Sequence, residues 1–254
     1  MVETEGDRRL DVPIAELGGK GVFAKEVQAA VLDGRADAAV HSAKDLPAVT
    51  LDGLALASVP ERGEVRDALV GSTLAALPEG ATVATGSQRR RVRMLPRSSA
   101  KRRSGRGSAS CTRLAKAAEF DAIVVAAVAF QRLGLGDHLA EVLSPVDMVP
   151  QVGQGALAVE CRAGDDDTRA RLAEIEHGPS RRRVDAERAF LAELGGDCDL
   201  PAGAHATIVE RDEVRLVGML ASDDGTVHRS GIQGRDPRFL GASIAEILRR
   251  DAGL

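Results

Sequence analysis

The chain has 254 residues, 44% of them hydrophobic and 28% charged, with a formal net charge of −4 at pH 7. That length admits about one and a half to two average domains with a sizeable core, and the mild acidity excludes a protein built as a whole to grip a polyanion. No apolar run approaches the roughly 20 residues of a membrane span, and the charged start MVETEGDRRLDVP lacks the apolar centre of a secretory signal, so no membrane partner is expected.

Three cysteines (Cys111, Cys161 and Cys198) form an odd set without a C-x-x-C pair. They suggest neither a disulfide framework nor a zinc site, and a reducing cytoplasm is the simplest home. His41, His138, His177, His205 and His228 show no metal-ligand spacing, and no metal is expected. The basic charge is concentrated: from Arg89 to Arg113 there are nine arginines, one lysine and no acidic residue. With five Phe, no Tyr and no Trp, the aromatic faces of a base-stacking surface are lacking, which argues against a nucleic-acid partner.

In chain order, VFAKEVQAAVL (22 to 32) carries apolar residues at helical spacing and stops at DGR, and ADAAV then reads as a short buried strand. SVPERGEVRDALV (58 to 70) is polar and turn-rich, a crossing between lobes. ATVATGSQRRRVRML reads as strand, turn and helix. A second copy of the first pattern follows, a helix over TRLAKAAE (112 to 119) and then FDAIVVAAVAF as a strand and its exit, with Asp37-Ala38 and Asp121-Ala122 in equivalent places. Helices alternating with short apolar strands predict α/β lobes with parallel strands. VPQVGQGALAVECR (149 to 162) reads as the return crossing and a strand. RRVDAERAFLAELGG is an amphipathic helix with a Gly-Gly stop, AHATIVE, VRLVGMLAS and TVHRSGIQ are strands, and LGASIAEILRR is a closing helix, together a small α+β domain.

Three segments carry candidate chemistry. HSAKD (41 to 45) lies at the end of a buried strand, where open α/β sheets bind ligands, and offers a hydroxyl, a cation and a carboxylate in Ser42, Lys44 and Asp45. The same residues also fit a solvated loop with a surface Lys–Asp pair worth little. TGSQRRR (85 to 91) places Thr85 and Ser87 at a strand-to-helix turn, with Arg89 and Arg90 as planar forks for carboxylates or phosphates. A basic solvated helix face is the alternative, and nucleic-acid backbone binding a further one. In LGGDCDLPAG, Cys198 sits in a Gly- and Pro-rich loop after a helix, a setting that exposes a side chain; alone it is a weak signal.

Together these segments resemble the hydroxymethylbilane synthases, also called porphobilinogen deaminases. The resemblance runs from TEGD at Thr4 through GGKGVFAKE (18 to 26), ADAAVHSAKDLP (36 to 47), TGSQRR (85 to 90), FQRLGLG (130 to 136) and VGQGALAVECR (152 to 162) to ERAFLAELGGDCDLPAGAHA (187 to 206). It implies two lobes like those of periplasmic binding proteins plus a small third domain. The implied boundaries are 1–59 with 154–176 for lobe 1, 64–149 for lobe 2 and 178–254 for the cofactor-attachment domain. It implies an enzyme that joins four porphobilinogen molecules head to tail, releases ammonia each time and hydrolyses the chain to hydroxymethylbilane. The work is done on a dipyrromethane primer held by thioether to a loop cysteine, here Cys198. The substrate carboxylates and the primer fall to Ser42, Lys44, Thr85, Ser87, Arg89, Arg90, Arg113 and Arg132. Asp45 matches the residue that stabilises the cationic pyrrole left by ammonia and transfers its proton. A carboxylate ~4 Å from that cation is worth roughly 4 kcal/mol at an effective dielectric of about 20. Lys20 and Lys25 are assigned to a loop that closes over the site. The small-molecule substrate is the one expected partner, and the protein is expected to be a monomer.

Two departures stand out. The family places a strand and a helix before T-x-G-D, with an Arg- and Ser-containing primer-binding turn, and the chain starts three residues before Thr4. A lobe 1 without that strand is expected to expose a sheet edge and to dissolve poorly. Residues 94 to 111, MLPRSSAKRRSGRGSASC, lack the apolar pattern of the family's strand at that place. Two compensating shifts of reading frame would produce such a patch, and Arg106 is left without a role. A two-lobed binder of small anions and a catalytically inactive family member remain as alternatives.

Overall fold

A computed structural model describes residues 22–94, 119–195 and 200–254. The fold is mixed α/β: two sheet-bearing lobes and a small α+β unit after them. Helix α1 (Val22–Leu32) buries Ala24, Gln28, Ala30 and Val31 against the first sheet. Arg162 Nη1 ties down its C-terminal end, donating to Val31 O in the last turn at 2.9 Å and to Ala36 O beyond the helix at 2.8 Å.

The first sheet has the order β1 (Ala38–Ser42), β7 (Leu157–Arg162), β2 (Leu54–Ser58). The second has the order β4 (Val83–Ala84), β5 (Ala122–Ala126), β3 (Asp67–Val70), β6 (Glu141–Val142). The expectation of parallel strands needs correction. Among the described strands, β4 and β5 alone pair in parallel; every other pairing is antiparallel. The cause is the double crossing. β1 and β2 run toward the junction of the two sheets, where the N–H of Ala43 donates to Ala156 O at 3.0 Å, and β7 leaves that junction in the opposite sense. In the second sheet β3 leaves the junction, while β5 and β6 run toward it. Strand ends therefore converge where residues 59–66 and 143–156 connect the sheets.

Helix α2 (Gln88–Met94) follows β4, α3 (Ala127–Arg132) follows β5, and α4 (Asp166–Ala173) follows β7. The third sheet is an antiparallel meander of β8 (Ala202–Ile208), β9 (Val214–Ala221) and β10 (Val227–Gly234), covered by α5 (Gly178–Glu193) and α6 (Pro237–Ala252). Helix α6 starts on Asp236, whose side chain accepts from the N–H groups of Arg238 and Phe239, and ends on Gly253 at φ 72. Its buried residues Leu240, Ile244 and Leu248 repeat every four positions and join Phe190, Leu216 and Leu220 in one core. On its other side α5 sends Val184 into the core of the first lobe, beside Ala24, Ala43, Leu46, Val59, Ala156 and Ala158.

Candidate active site

At the end of β1 the chain makes one short helical turn, Ala43–Asp45, with Ser42 before it in extended conformation. Ala43 and Leu46 are buried in the lobe core, three positions apart, the period of so tight a turn. That anchoring turns the residues between them away: Lys44 is half-buried and Asp45 exposed. The Ser42 hydroxyl makes no capping bond.

Thr85 and Ser87 serve their own turn: Thr85 Oγ1 accepts from the Ser87 N–H at 3.2 Å, and Ser87 Oγ from the Arg90 N–H at 3.5 Å. The two arginines that follow are buried on Asp67, the first residue of β3. Arg90 reaches Asp67 Oδ1 through Nη2 at 2.7 Å and Nε at 3.1 Å, and its Nη1 donates to Val124 O at 3.1 Å. Arg89 Nη1 lies 2.8 Å from Asp67 Oδ2 and also donates to Val149 O. Gln154 Nε2 adds a donor to Asp67 Oδ1 at 2.9 Å. Burial alone would push the Asp67 carboxyl up, but Arg89, Arg90 and Gln154 outweigh it and hold it well below the ordinary carboxylate range. Burial pushes the Arg89 guanidinium down, against the pull of Asp67.

The two neighbouring arginines thus differ. Every nitrogen of the Arg90 guanidinium has a protein partner, whereas Arg89, only 2% exposed, leaves Nε and Nη2 without one among the described residues. One carboxylate shared by two guanidinium groups leaves a net positive charge, and the open Nε–Nη2 edge is the geometry that grips a carboxylate bidentately.

The returning connection joins this pair to the HSAKD turn. Val149 accepts from Arg89, and two residues on, Gln151 Nε2 donates to Lys44 O at 3.2 Å. Gly155, at φ +88, brings its Cα so close to the other connection that a Cβ would stand 2.6 Å from Glu64 O. Arg132, exposed at the end of α3, donates from Nη2 to Gly155 O at 3.0 Å. Gly203 of β8 packs on the Arg89 stem, where a Cβ would meet Cδ at 2.7 Å. Gly203 follows Cys198 by five positions in the sequence.

The structure therefore brings the HSAKD turn, Arg89, Arg90 and Arg132 to one junction, beside the strand that follows the cysteine. Lys25, expected in a closing loop, instead stands exposed on helix α1, which is held in place by the burial of Ala24 and Gln28. Lys20, Arg113 and Cys198, and all but the first residue of the unpatterned stretch 94 to 111, lie outside the described residues. Asp67, Gln154, Arg62 and Glu187 were not anticipated. A single acidic residue opening the apolar run DALV is the signal that could have pointed to Asp67.

Comparison with known proteins identifies a family. The family model of the porphobilinogen deaminase dipyrromethane cofactor-binding domain matches residues 1–170, and that of the porphobilinogen deaminase C-terminal domain matches residues 181–250. Porphobilinogen deaminase of Brevibacillus brevis is 43% identical over 254 residues, 97% of this chain and 82% of its own. That of Roseiflexus castenholzii is 45% identical over 260 residues, 99% and 85%. That of Nitratidesulfovibrio vulgaris strain DP4 is 46% identical over 266 residues, 98% and 84%. Among solved structures, an ABC transporter protein of Parabacteroides distasonis overlays with a TM-score of 0.39 at 17% identity, over 66% of this chain and 60% of its own, too loosely to bear on fold or function. The chain belongs to the porphobilinogen deaminase family, transferases also named hydroxymethylbilane synthases.

Proposed function

We propose that the chain condenses four porphobilinogen molecules head to tail, releasing ammonia at each step, and does so on a dipyrromethane primer joined to the Cys198 sulfur. The observation that carries this reading is the buried Arg89 edge, whose Nε and Nη2 have no partner among the described residues, at the junction that also holds the HSAKD turn and the strand that follows Cys198. The donor set fits the primer, whose pyrroles bear acetate and propionate groups. When bound, it supplies the free pyrrole carbon from which the chain grows.

The residues divide the remaining work. Arg89 holds a carboxylate by two parallel hydrogen bonds, while Lys44, Arg132 and Arg113 serve as point or fork cations for the others. Arg90 keeps Asp67, and through it Arg89, in place. Asp45, at the solvent edge of the turn, faces the substrate pyrrole as its ammonia leaves; a carboxylate there stabilises the positive charge and takes the proton. Ser42, Thr85 and Ser87 line the rim, and the segment bearing Lys20 closes over it. Lobe boundaries at 1–59 with 154–176, at 64–149 and at 178–254 follow the two connections. The protein works as a monomer in the cytoplasm, with porphobilinogen as its partner and no membrane or nucleic acid; among the described residues no helix is long and apolar enough to cross a membrane.

Intact mass of the purified chain beside Cys198→Ser tests this. A covalent excess of two linked pyrroles on the first and none on the second, with porphobilinogen consumed by the first alone, is the expected result. An unmodified, inactive chain would sink the proposal.

A further inference from the structure

Gln154 stands on the returning connection and is fully buried. Its Nε2 donates to Val65 O on the outgoing connection at 2.8 Å and to Asp67 Oδ1 at 2.9 Å. Its Oε1 accepts from Arg90 Nη2 at 3.5 Å, and its backbone carbonyl from Arg62 Nε at 2.9 Å. One side chain therefore bridges both connections and the carboxylate that holds Arg89.

Any change in the angle between the two sheets is a rotation about these connections, because they alone link β2 to β3 and β6 to β7. Such a rotation alters the separation of Val65 and Gln154 and moves the Nε2 donor across Asp67. Asp67 Oδ1 accepts from Gln154 and from Arg90, while Oδ2 faces Arg89 Nη1. Turning the carboxylate moves Oδ2 and, with it, the open edge of Arg89. Two guanidinium groups share this one buried carboxylate, and the remaining donors of Arg89, Nε and Nη2, face no partner among the described residues.

We propose that Gln154 and Asp67 are positioning residues that couple the angle between the lobes to the orientation of the Arg89 fork. A substrate carboxylate on Arg89 then stabilises the arrangement of the connections seen here, and by linkage that arrangement tightens the grip on the carboxylate. The inference rests on the reading of the site as one for porphobilinogen.

Hydrogen exchange of the full chain, with and without saturating porphobilinogen, tests it in the native protein and in Gln154→Met. In the native protein the substrate is expected to protect residues 60–69 and 149–157, the connections, and residues 200–208, beside Arg89. In Gln154→Met protection is expected at 200–208 alone, with the half-saturating concentration raised about tenfold, the scale of one weakened charge-assisted hydrogen bond. Wild-type protection of the connections in Gln154→Met overturns the coupling. So does a native protein protected at 200–208 and not at the connections; both results leave the substrate reading intact. No protection anywhere in the native protein overturns the substrate reading and this inference with it. If Gln154→Met does not fold, Gln154→Asn keeps the amide but withdraws it from Asp67, and the same outcomes apply.

Discussion

Arg62 and Glu187 meet as two parallel hydrogen bonds of 2.8 Å each, Nη1 to Oε1 and Nη2 to Oε2, with both side chains shut off from solvent. Glu187 also accepts the N–H groups of Gly153 at 2.8 Å and Ala206 at 2.9 Å, so one carboxylate binds the outgoing connection, the returning connection and β8. Glu187→Ala leaves a buried guanidinium and two backbone donors without their acceptor. The expected cost is about 3–5 kcal/mol, read from urea unfolding followed by circular dichroism, since the chain has no Trp or Tyr. A loss under about 1 kcal/mol would mean that the connections are held by other means.

Asp45 behaves in the opposite way. The packing of its turn rests on Ala43 and Leu46, and Asp45 itself is exposed. Asp45→Asn is expected to change unfolding by no more than about 0.5 kcal/mol while porphobilinogen turnover falls about 10²- to 10⁴-fold. Unchanged turnover would remove Asp45 from the chemistry.

Gly155→Ala tests the closeness of the two connections. An added Cβ must enter a left-handed backbone at φ +88 and displace the Glu64 carbonyl, a backbone group that cannot swing aside. Strain and overpacking together predict a loss of about 3 kcal/mol in the same unfolding assay, with a raised KM if the variant folds. A variant as stable as the parent would show that the connections can separate freely.

Acid sensitivity follows from three groups. Burial pushes the His205 imidazole below its ordinary value of 6.5, and the net effect of burial, His41 and Gln28 holds the buried Glu160 carboxyl below its ordinary 4.5, as Arg89, Arg90 and Gln154 do for Asp67 below 3.8. All three folded-state values lie below the unfolded ones, so each contributes stability that is complete above the unfolded value and fades as the pH falls toward the folded one. The midpoint of urea unfolding is expected to decline gently below pH 6.5 and steeply below about pH 4.5, where Glu160 and then Asp67 bind protons in the unfolded chain. His205→Gln should flatten the first decline and leave the second. A midpoint that rises between pH 6.5 and 4 would contradict these directions.

Much of this arrangement could be read beforehand where side-chain pattern reports burial directly. Helix α1 and the strands over AHATIVE, VRLVGMLAS and TVHRSGIQ stand close to where the sequence pattern puts them, because their apolar and β-branched residues run between clear turn signals. The strand β3 was hidden inside a stretch read as a crossing: its four residues are all buried, so no alternation marks it, and an aspartate at its start mimics a turn. Strand direction was misjudged for a topological reason, since two lobes joined by two connections reverse the sense of the returning strand. The arginines of TGSQRRR were legible as a pair. That they share Asp67, more than twenty positions upstream, and that Arg89 but not Arg90 keeps an edge without a partner among the described residues, depends on contacts distant in sequence.

Val184 of α5 completes the apolar core beneath Ala43 and Leu46, although it lies after both family-matched segments' boundary at residues 170 to 181. A ribosome making this chain releases the strands of the first lobe well before that helix. Until α5 emerges, the turn bearing Lys44 and Asp45 rests on an incomplete floor. The turn bearing Lys44 and Asp45 and the C-terminal domain thus mature as one event, and a fragment ending near residue 176 should gather on chaperones or precipitate rather than fold.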